Sequence, residues 1–338
     1  MKIGFFTEAG YEGGVPRNHP NMRTDVAWVC ALNAYHHPLK YLEPGAGRDD
    51  SHGSISLNNV PSGGYDVGIV IIPKHKRHLI KIDLIKSIKQ VCKKVCVMQE
   101  STYWYWQDDF IDEQVWYYNN LMEADLILCH NDDDLNYYRG MTNKRCELLP
   151  SLMITDNLGC KLGKGINDSV LPCGGGNKEG VIIGGNFVSI YRGFDSYVVA
   201  EQFGLPVYAP TTGRMKPEER GLHINHLEWM QWYQWIHVIS KFYAGVQLGT
   251  AAAGTFNLNL SFHGIPCIGY ESLNTQAILH PETTVKDGHV DKARELANRL
   301  VNDVAFYEKC SRDTRRLYEK HYSEEVFVKK TMEILESL

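Results

Sequence analysis

The stretch Gly180-Val181-Ile182-Ile183-Gly184-Gly185-Asn186-Phe187-Val188-Ser189-Ile190-Tyr191-Arg192-Gly193-Phe194 opens the second half of the chain. Its short apolar start, Gly180–Gly184, reads as a strand, and its end leads into a helix over Asp195–Phe203. Glycines at a strand end let an anion approach the backbone, and a helix N-terminus favours negative charge. Arg192 adds a charge-assisted contact of the kind that grips a diphosphate. An ordinary β–α turn with a surface arginine is the competing reading.

The alternation continues in both directions. Downstream, Leu205–Ala209, Ala244–Leu248 and Ile265–Tyr270 read as strands. Trp229–Lys241, Phe256–His263, Asp291–Asp303, Val304–His321 and Glu324–Glu336 read as helices. Upstream, residues 2–7, Asp66–Ile72, Val95–Met98, Asp125–Cys129 and Cys146–Leu149 read as strands. The apolar run of Asp66–Ile72 is continuous rather than alternating, as in a parallel strand buried on both faces. Asn21–Ala34, Leu79–Cys92, Asp112–Met122 and Asp132–Tyr138 read as helices, and residues 35–62 give no clear pattern. This predicts an α/β protein of two doubly wound, Rossmann-like domains facing a cleft. The expected division is 1–155, an irregular linker or insertion at 156–179, 180–322, and a closing helix at 323–338.

Composition bounds the function. With 338 residues, 43% hydrophobic and 22% charged, the chain has a globular make-up and room for two domains. A net charge of −5 argues against a generally basic nucleic-acid binder. No apolar run reaches the roughly 20 residues of a membrane helix. The nine cysteines form no CxxC pair, which fits buried thiols in a reducing cytoplasm better than a disulfide framework or zinc site.

A second glycine-rich turn, Gly249-Thr250-Ala251-Ala252-Ala253-Gly254-Thr255-Phe256-Asn257-Leu258-Asn259, precedes a helix, and Gly264-Ile265-Pro266-Cys267-Ile268 follows it. Together with Gly185-Asn186, Arg192-Gly193 and the stretch from Val285 to Asp303, this order of motifs resembles the donor domain of GT-B glycosyltransferases, the retaining type in particular. The resemblance covers about residues 180–330. Ala124-Asp125-Leu126-Ile127-Leu128-Cys129-His130-Asn131-Asp132 extends it loosely to the first half. Phage DNA α-glucosyltransferases are similar in motif order. The resemblance implies a nucleotide-sugar donor, UDP-linked as first choice, held as a co-substrate with no other cofactor. Gly185, Arg192, Gly254, Thr255, Asn257 and Asn259 would bind the donor, with the nucleobase against Pro210–Arg214. Asn259 stands where the family has its ribose-binding acid, and Ala251 falls near the place of the other acid of the pair.

In the first half, the strand at 95–98 runs out to Glu100, the candidate catalytic carboxylate on the acceptor side. Tyr103 and Trp104 belong to an aromatic run suited to stacking. Gly13 and Gly14 could bring backbone N–H groups to a phosphate or acceptor. Asp132-Asp133-Asp134 reads as a helix start rather than a metal motif, so no metal site is expected. Eight cations between 74 and 94 face one acid, Asp83, whereas 95–138 carries ten acids and no Lys or Arg. That basic segment suits an anionic acceptor such as DNA or a membrane surface, or a solvated helix face. The expected activity is hexosyl or pentosyl transfer, metal-independent, to a hydroxyl of a hydroxymethylated DNA base or a glycan. A sugar-nucleotide 2-epimerase and a non-catalytic carbohydrate- or nucleotide-binding module are the alternatives.

Overall fold

The computed structural model describes the chain except residues 8–11, 23, 43–53, 58–59, 73–81, 100–101, 108, 150, 155–178, 186, 188–190, 211–215 and 250–253. It divides into two compact units. One comprises residues 1–16, 25–149 and 328–338, the other residues 17–24 and 150–327. The last helix, Glu324–Glu336, therefore begins in the second unit and ends in the first.

The first unit holds strands β1 (Ile3–Thr7), β2 (Gly13–Gly14), β3 (Tyr35–Pro38), β4 (Lys40–Leu42), β5 (Ser54–Ser56), β6 (Tyr65–Ile72), β7 (Cys92–Gln99), β8 (Leu126–Cys129) and β9 (Cys146–Leu148). Seven of these form one sheet in the order β2-β3-β1-β6-β7-β8-β9, parallel except for β2. β4 and β5 pair separately and antiparallel. The strand order reverses between β1 and β6, where an open α/β sheet has its strand-end crevice. The segments that follow these two strands, 8–11 and 73–81, lie outside the described residues.

The sequence pattern misplaces one boundary here. Leu79–Cys92 reads as a single helix, whereas the helix spans Leu84–Lys89 and β7 already begins at Cys92. Pairing with β6, which runs from Tyr65↔Cys92 to Ile72↔Gln99, overrides the helical periodicity of this stretch. The acidic run opens a helix as expected. Asn131 caps Asp132–Thr142 by accepting from the Asp134 backbone N–H at 2.8 Å, and three acids complement its first turn.

The second unit holds β10 (Val181–Ile183), β11 (Val207–Pro210), β12 (Ile224–Leu227), β13 (Ala244–Gln247), β14 (Cys267–Tyr270) and β15 (Thr284–Val285). All are parallel, in the order β12-β11-β10-β13-β14-β15. This is the dinucleotide-fold order, reversing between β10 and β13. β12 escapes the sequence pattern because it is an edge strand, Ile224-Asn225-His226-Leu227, with polar residues at its centre and none fully buried. The helices Val290–Asn302 and Val304–Tyr322 follow from residue spacing. Ala293, Ala297 and Leu300 are buried in the first, and Phe306, Cys310, Thr314, Tyr318 and Tyr322 in the second, each set along one stripe. The seven described cysteines are free and buried. Among the described residues, no helix is long and apolar enough to cross a membrane.

Candidate donor site at the switch point of the second sheet

The strand-end crevice of the second unit is built by two glycine turns. β10 runs into Gly184-Gly185. Gly185 has φ +86°, and a Cβ on it would sit 2.6 Å from the Tyr191 ring. β13 runs through Leu248 into Gly249, where a Cβ would meet the Tyr191 carbonyl oxygen at 2.6 Å. The two turns thus pack on one residue, Tyr191, and neither tolerates a side chain. The Ser196 hydroxyl accepts from the Leu248 N–H at 2.9 Å, tying the end of β13 to the helix Gly193–Ala200.

Arg192 lies at the start of that helix with φ 44° and ψ 49°, a left-handed conformation that costs an ordinary residue about 1–2 kcal/mol. Its side chain is exposed and makes no ion pair among the described residues. Its charge nevertheless reaches the C-terminal end of β14. Burial, and after it Asp195, push the Tyr270 phenol above its usual range, while the Gly288 N–H and Arg192 pull the other way. An unpaired guanidinium, a glycine turn and a helix start therefore sit together at one strand end, an arrangement that accepts an anion.

The second turn ends at Gly254, φ +57°, which caps the helix Thr255–Phe262. A Cβ on Gly254 would fall on the Thr275 side chain, with Thr275 Cβ only 2.7 Å away. Thr255 is half-buried. Asn257 is fully buried and donates to Gln276 Oε1 at 2.6 Å, while its own Oδ1 has no partner. Asn259 differs from the ribose ligand expected at its position. Its Oδ1 accepts from Trp235 Nε1 at 2.9 Å and its Nδ2 donates to Met153 Sδ at 2.9 Å, so both ends of the amide serve packing.

The first-half candidates fall only in part within the described residues. Glu100, one residue beyond β7, lies outside the described residues, as do Ala251 and residues 211–214 of the expected nucleobase loop. Gly13 and Gly14 pair antiparallel with His36 and Tyr35 as an edge strand. The register of β3 on β1 then places them level with Phe5 and Gly4, partway down the sheet edge and short of its strand ends. That differs from the phosphate loop expected there. Tyr103 and Trp104 lie in a short 3₁₀ turn, both half-buried. The Tyr103 ring is stacked on Tyr137 at 4.3 Å, and its N–H donates to Asp134 Oδ1. In the basic segment, Lys86 faces Asp83 and Glu123, Lys89 faces Asp125, and Lys93 pairs with Asp66 at 2.7 Å. Lys74, Lys76, Arg77 and Lys81 lie outside the described residues.

Sequence reasoning missed Tyr191 and Ser196, which hold the turns together, and Gln247, which ends β13. Gln247 carried a signal. It is the polar residue in an otherwise apolar, buried strand, Ala244-Gly245-Val246-Gln247.

Neither protein-family models nor curated proteins match the chain. Solved structures do. A sucrose-phosphate synthase from Thermosynechococcus elongatus is similar over 100% of this chain and 99% of its own, with TM-score 0.66 and 11% identity. HepE from Anabaena in complex with UDP is similar over 100% of both chains, with TM-score 0.61 and 10% identity. An α,α-trehalose-phosphate synthase (UDP-forming) from Burkholderia xenovorans with glucose-6-phosphate is similar over 80% of this chain and 72% of its own, with TM-score 0.59 and 10% identity. At such identities the likeness is one of fold, and the fold is that of the GT-B glycosyltransferases.

Proposed function

We propose that this protein is a glycosyltransferase that draws a hexosyl unit from a nucleoside-diphosphate sugar, with UDP as the first-choice nucleotide. The observation that carries the reading is the convergence of Gly185, Gly249, Gly254 and the unpaired Arg192 at the switch point of the second sheet. The diphosphate would lie on the Gly184-Gly185 turn and the start of the helix Gly193–Ala200. Arg192 would neutralise the charge that grows on the leaving nucleotide as the glycosidic bond breaks. That positive field is the basis for reading the transfer as independent of an obligatory metal. Structural neighbours seen with UDP and with UDP-glucose support the donor class.

Glu100 is retained as the acceptor-side carboxylate because of its place just past β7. For the acceptor, the reading favours a glycan hydroxyl over a DNA base, since Lys86, Lys89 and Lys93 each face a carboxylate. The resemblance to retaining enzymes leads us to expect an α-linked product from an α-linked donor.

The test is calorimetry of the pure protein against UDP-, GDP-, TDP- and CMP-sugars, followed by nucleotide release with and without glycan acceptors. Binding of one nucleotide sugar and acceptor-dependent release are expected. Release with no acceptor and a changed free sugar nucleotide would indicate an epimerase. Absence of binding to every donor would remove the reading.

A further inference from the structure

Gln247 ends β13 with a side-chain oxygen that no group among the described residues engages. The residue is 3% exposed, and its Oε1 has no hydrogen-bond partner. Among the described residues, no group bonds its amide. The side chain lies where Gly184 leaves room for it. A Cβ on Gly184 would come within 2.9 Å of Gln247 Cβ and Cγ and 2.7 Å of the Phe256 ring. The stem of the Gln247 side chain and the Phe256 ring, at the start of the helix Thr255–Phe262, thus share the space beside the first glycine turn. Thr275 is alike. It is 4% exposed, its Oγ1 is unpartnered, and it lies over the Cα of Gly254 in the second turn.

Buried polar groups in folded proteins are almost always bonded, and an orphaned one is costly. Two such groups beside the two turns that frame one crevice call for a partner from outside the chain. The chemistry of that partner is constrained. Gln247 Oε1 needs a hydrogen donor, which an ionised diphosphate does not supply, although the amide Nε2 and the Thr275 hydroxyl could each donate to one. A hydroxyl both gives and takes a hydrogen bond, and so matches an amide and a threonine hydroxyl together.

We propose that Gln247, assisted by Thr275, is a hydroxyl-binding group on the floor of this crevice, which holds a glycosyl or ribose hydroxyl of the nucleotide sugar. The inference rests on the donor-site reading above. It adds a contact that selects the sugar part of the ligand to those that hold its phosphates.

Gln247→Leu and Gln247→Met keep the volume and remove the amide. Their unliganded melting temperatures should equal or exceed that of the wild type, because no protein hydrogen bond is lost. Titration calorimetry would compare UDP-glucose with UDP, or GDP-glucose with GDP if the wild type selects guanine. The expected result is a drop of about tenfold in affinity for the sugar nucleotide, the size of one net hydrogen bond. A drop confined to the sugar nucleotide identifies a glycosyl hydroxyl, and an equal drop with the free diphosphate identifies the ribose. Wild-type affinities for both ligands in both variants would overturn the inference and leave the donor site standing. A wild type that binds neither a sugar nucleotide nor a free nucleoside diphosphate would overturn the donor site and this inference together.

Discussion

Gly249 has no room for a side chain because the backbone of Tyr191 lies against it, with the Tyr191 carbonyl oxygen 2.6 Å from where a Cβ would stand. This contact joins the loop after β10 to the loop after β13, the two strands at which the second sheet reverses its order. It converts two glycine turns far apart in sequence into the rim of one crevice. The same Tyr191 ring closes off Gly185.

Arg192→Gly should separate binding from stability. Arg192 is held in a left-handed conformation and makes no ion pair among the described residues, so glycine relieves strain at φ 44°. Thermal melting of the unliganded protein should be unchanged or raised. Affinity for a nucleoside diphosphate should fall about 10- to 100-fold, the range for losing a hydrogen bond to a charged group. Calorimetry reads the second effect.

Gly254→Ala should be strongly destabilising, by roughly 2–4 kcal/mol, because the new methyl meets Thr275 and the residue sits at φ +57°. In the Gly254→Ala/Thr275→Ala double variant the overlaps with Thr275 Oγ1 and Cγ2 are removed, so part of the steric loss should be recovered, while the 2.7 Å approach to the Thr275 Cβ position and the backbone part, about 1–2 kcal/mol, should remain. Urea denaturation of the four proteins in the cycle checks this. Additive losses would mean that the two side chains do not meet.

Asn259→Ala should act on stability rather than on donor affinity. Trp235 Nε1 and Met153 Sδ lose their partner, and about 1–3 kcal/mol should be lost from the unfolding free energy. The dissociation constant for the nucleotide should stay within twofold, since both ends of this amide are already bonded. A large rise in that constant with unchanged stability would restore the ribose role.

Stability should decline as the solution is acidified below about pH 6.5. Burial lowers His36 to about 4, His130 to about 4 and His280 to about 3. The folded protein keeps these rings neutral while the unfolded chain protonates near 6.5. Their contribution is complete above that pH and is lost progressively toward pH 4. His130 is stacked on Trp28 at 5.5 Å, so His130→Phe keeps the ring contact and should shallow the slope in denaturation experiments across this range.

Asp134 works in the opposite sense. Burial raises its carboxyl to about 7 despite the opposing Tyr103 N–H and Asn131. The folded state favours the protonated acid, and its advantage is lost as pH rises from about 4 through about 7. Asp134→Asn should melt higher than the wild type at pH 8 and nearly with it at pH 4. Tyr103 N–H keeps an acceptor in the variant.

The α/β class was legible because parallel strands buried on both faces leave continuous apolar runs, as in Val67–Ile72 and Val181–Ile183. The glycine-rich turns were legible too, since glycine is the residue that allows close approach. The extent of β7 was not. Its Cys92-Lys93-Lys94 start has no strand signature of its own and is recruited by pairing with β6. β12 was hidden for a similar reason, since an edge strand needs little apolar burial.

The sequence by itself determined the alternation of strands and helices, the glycine turns and the position of Arg192, because all three depend on local chain stereochemistry and on spacing. Tertiary structure decided which of these residues share a site. Strand order alone brings the ends of β10 and β13 side by side, and packing alone commits Asn259 to Trp235 and Met153 while leaving Gln247 without a partner. Whether a polar side chain is free for a ligand depends on which neighbours reach it, and those neighbours come from distant parts of the chain.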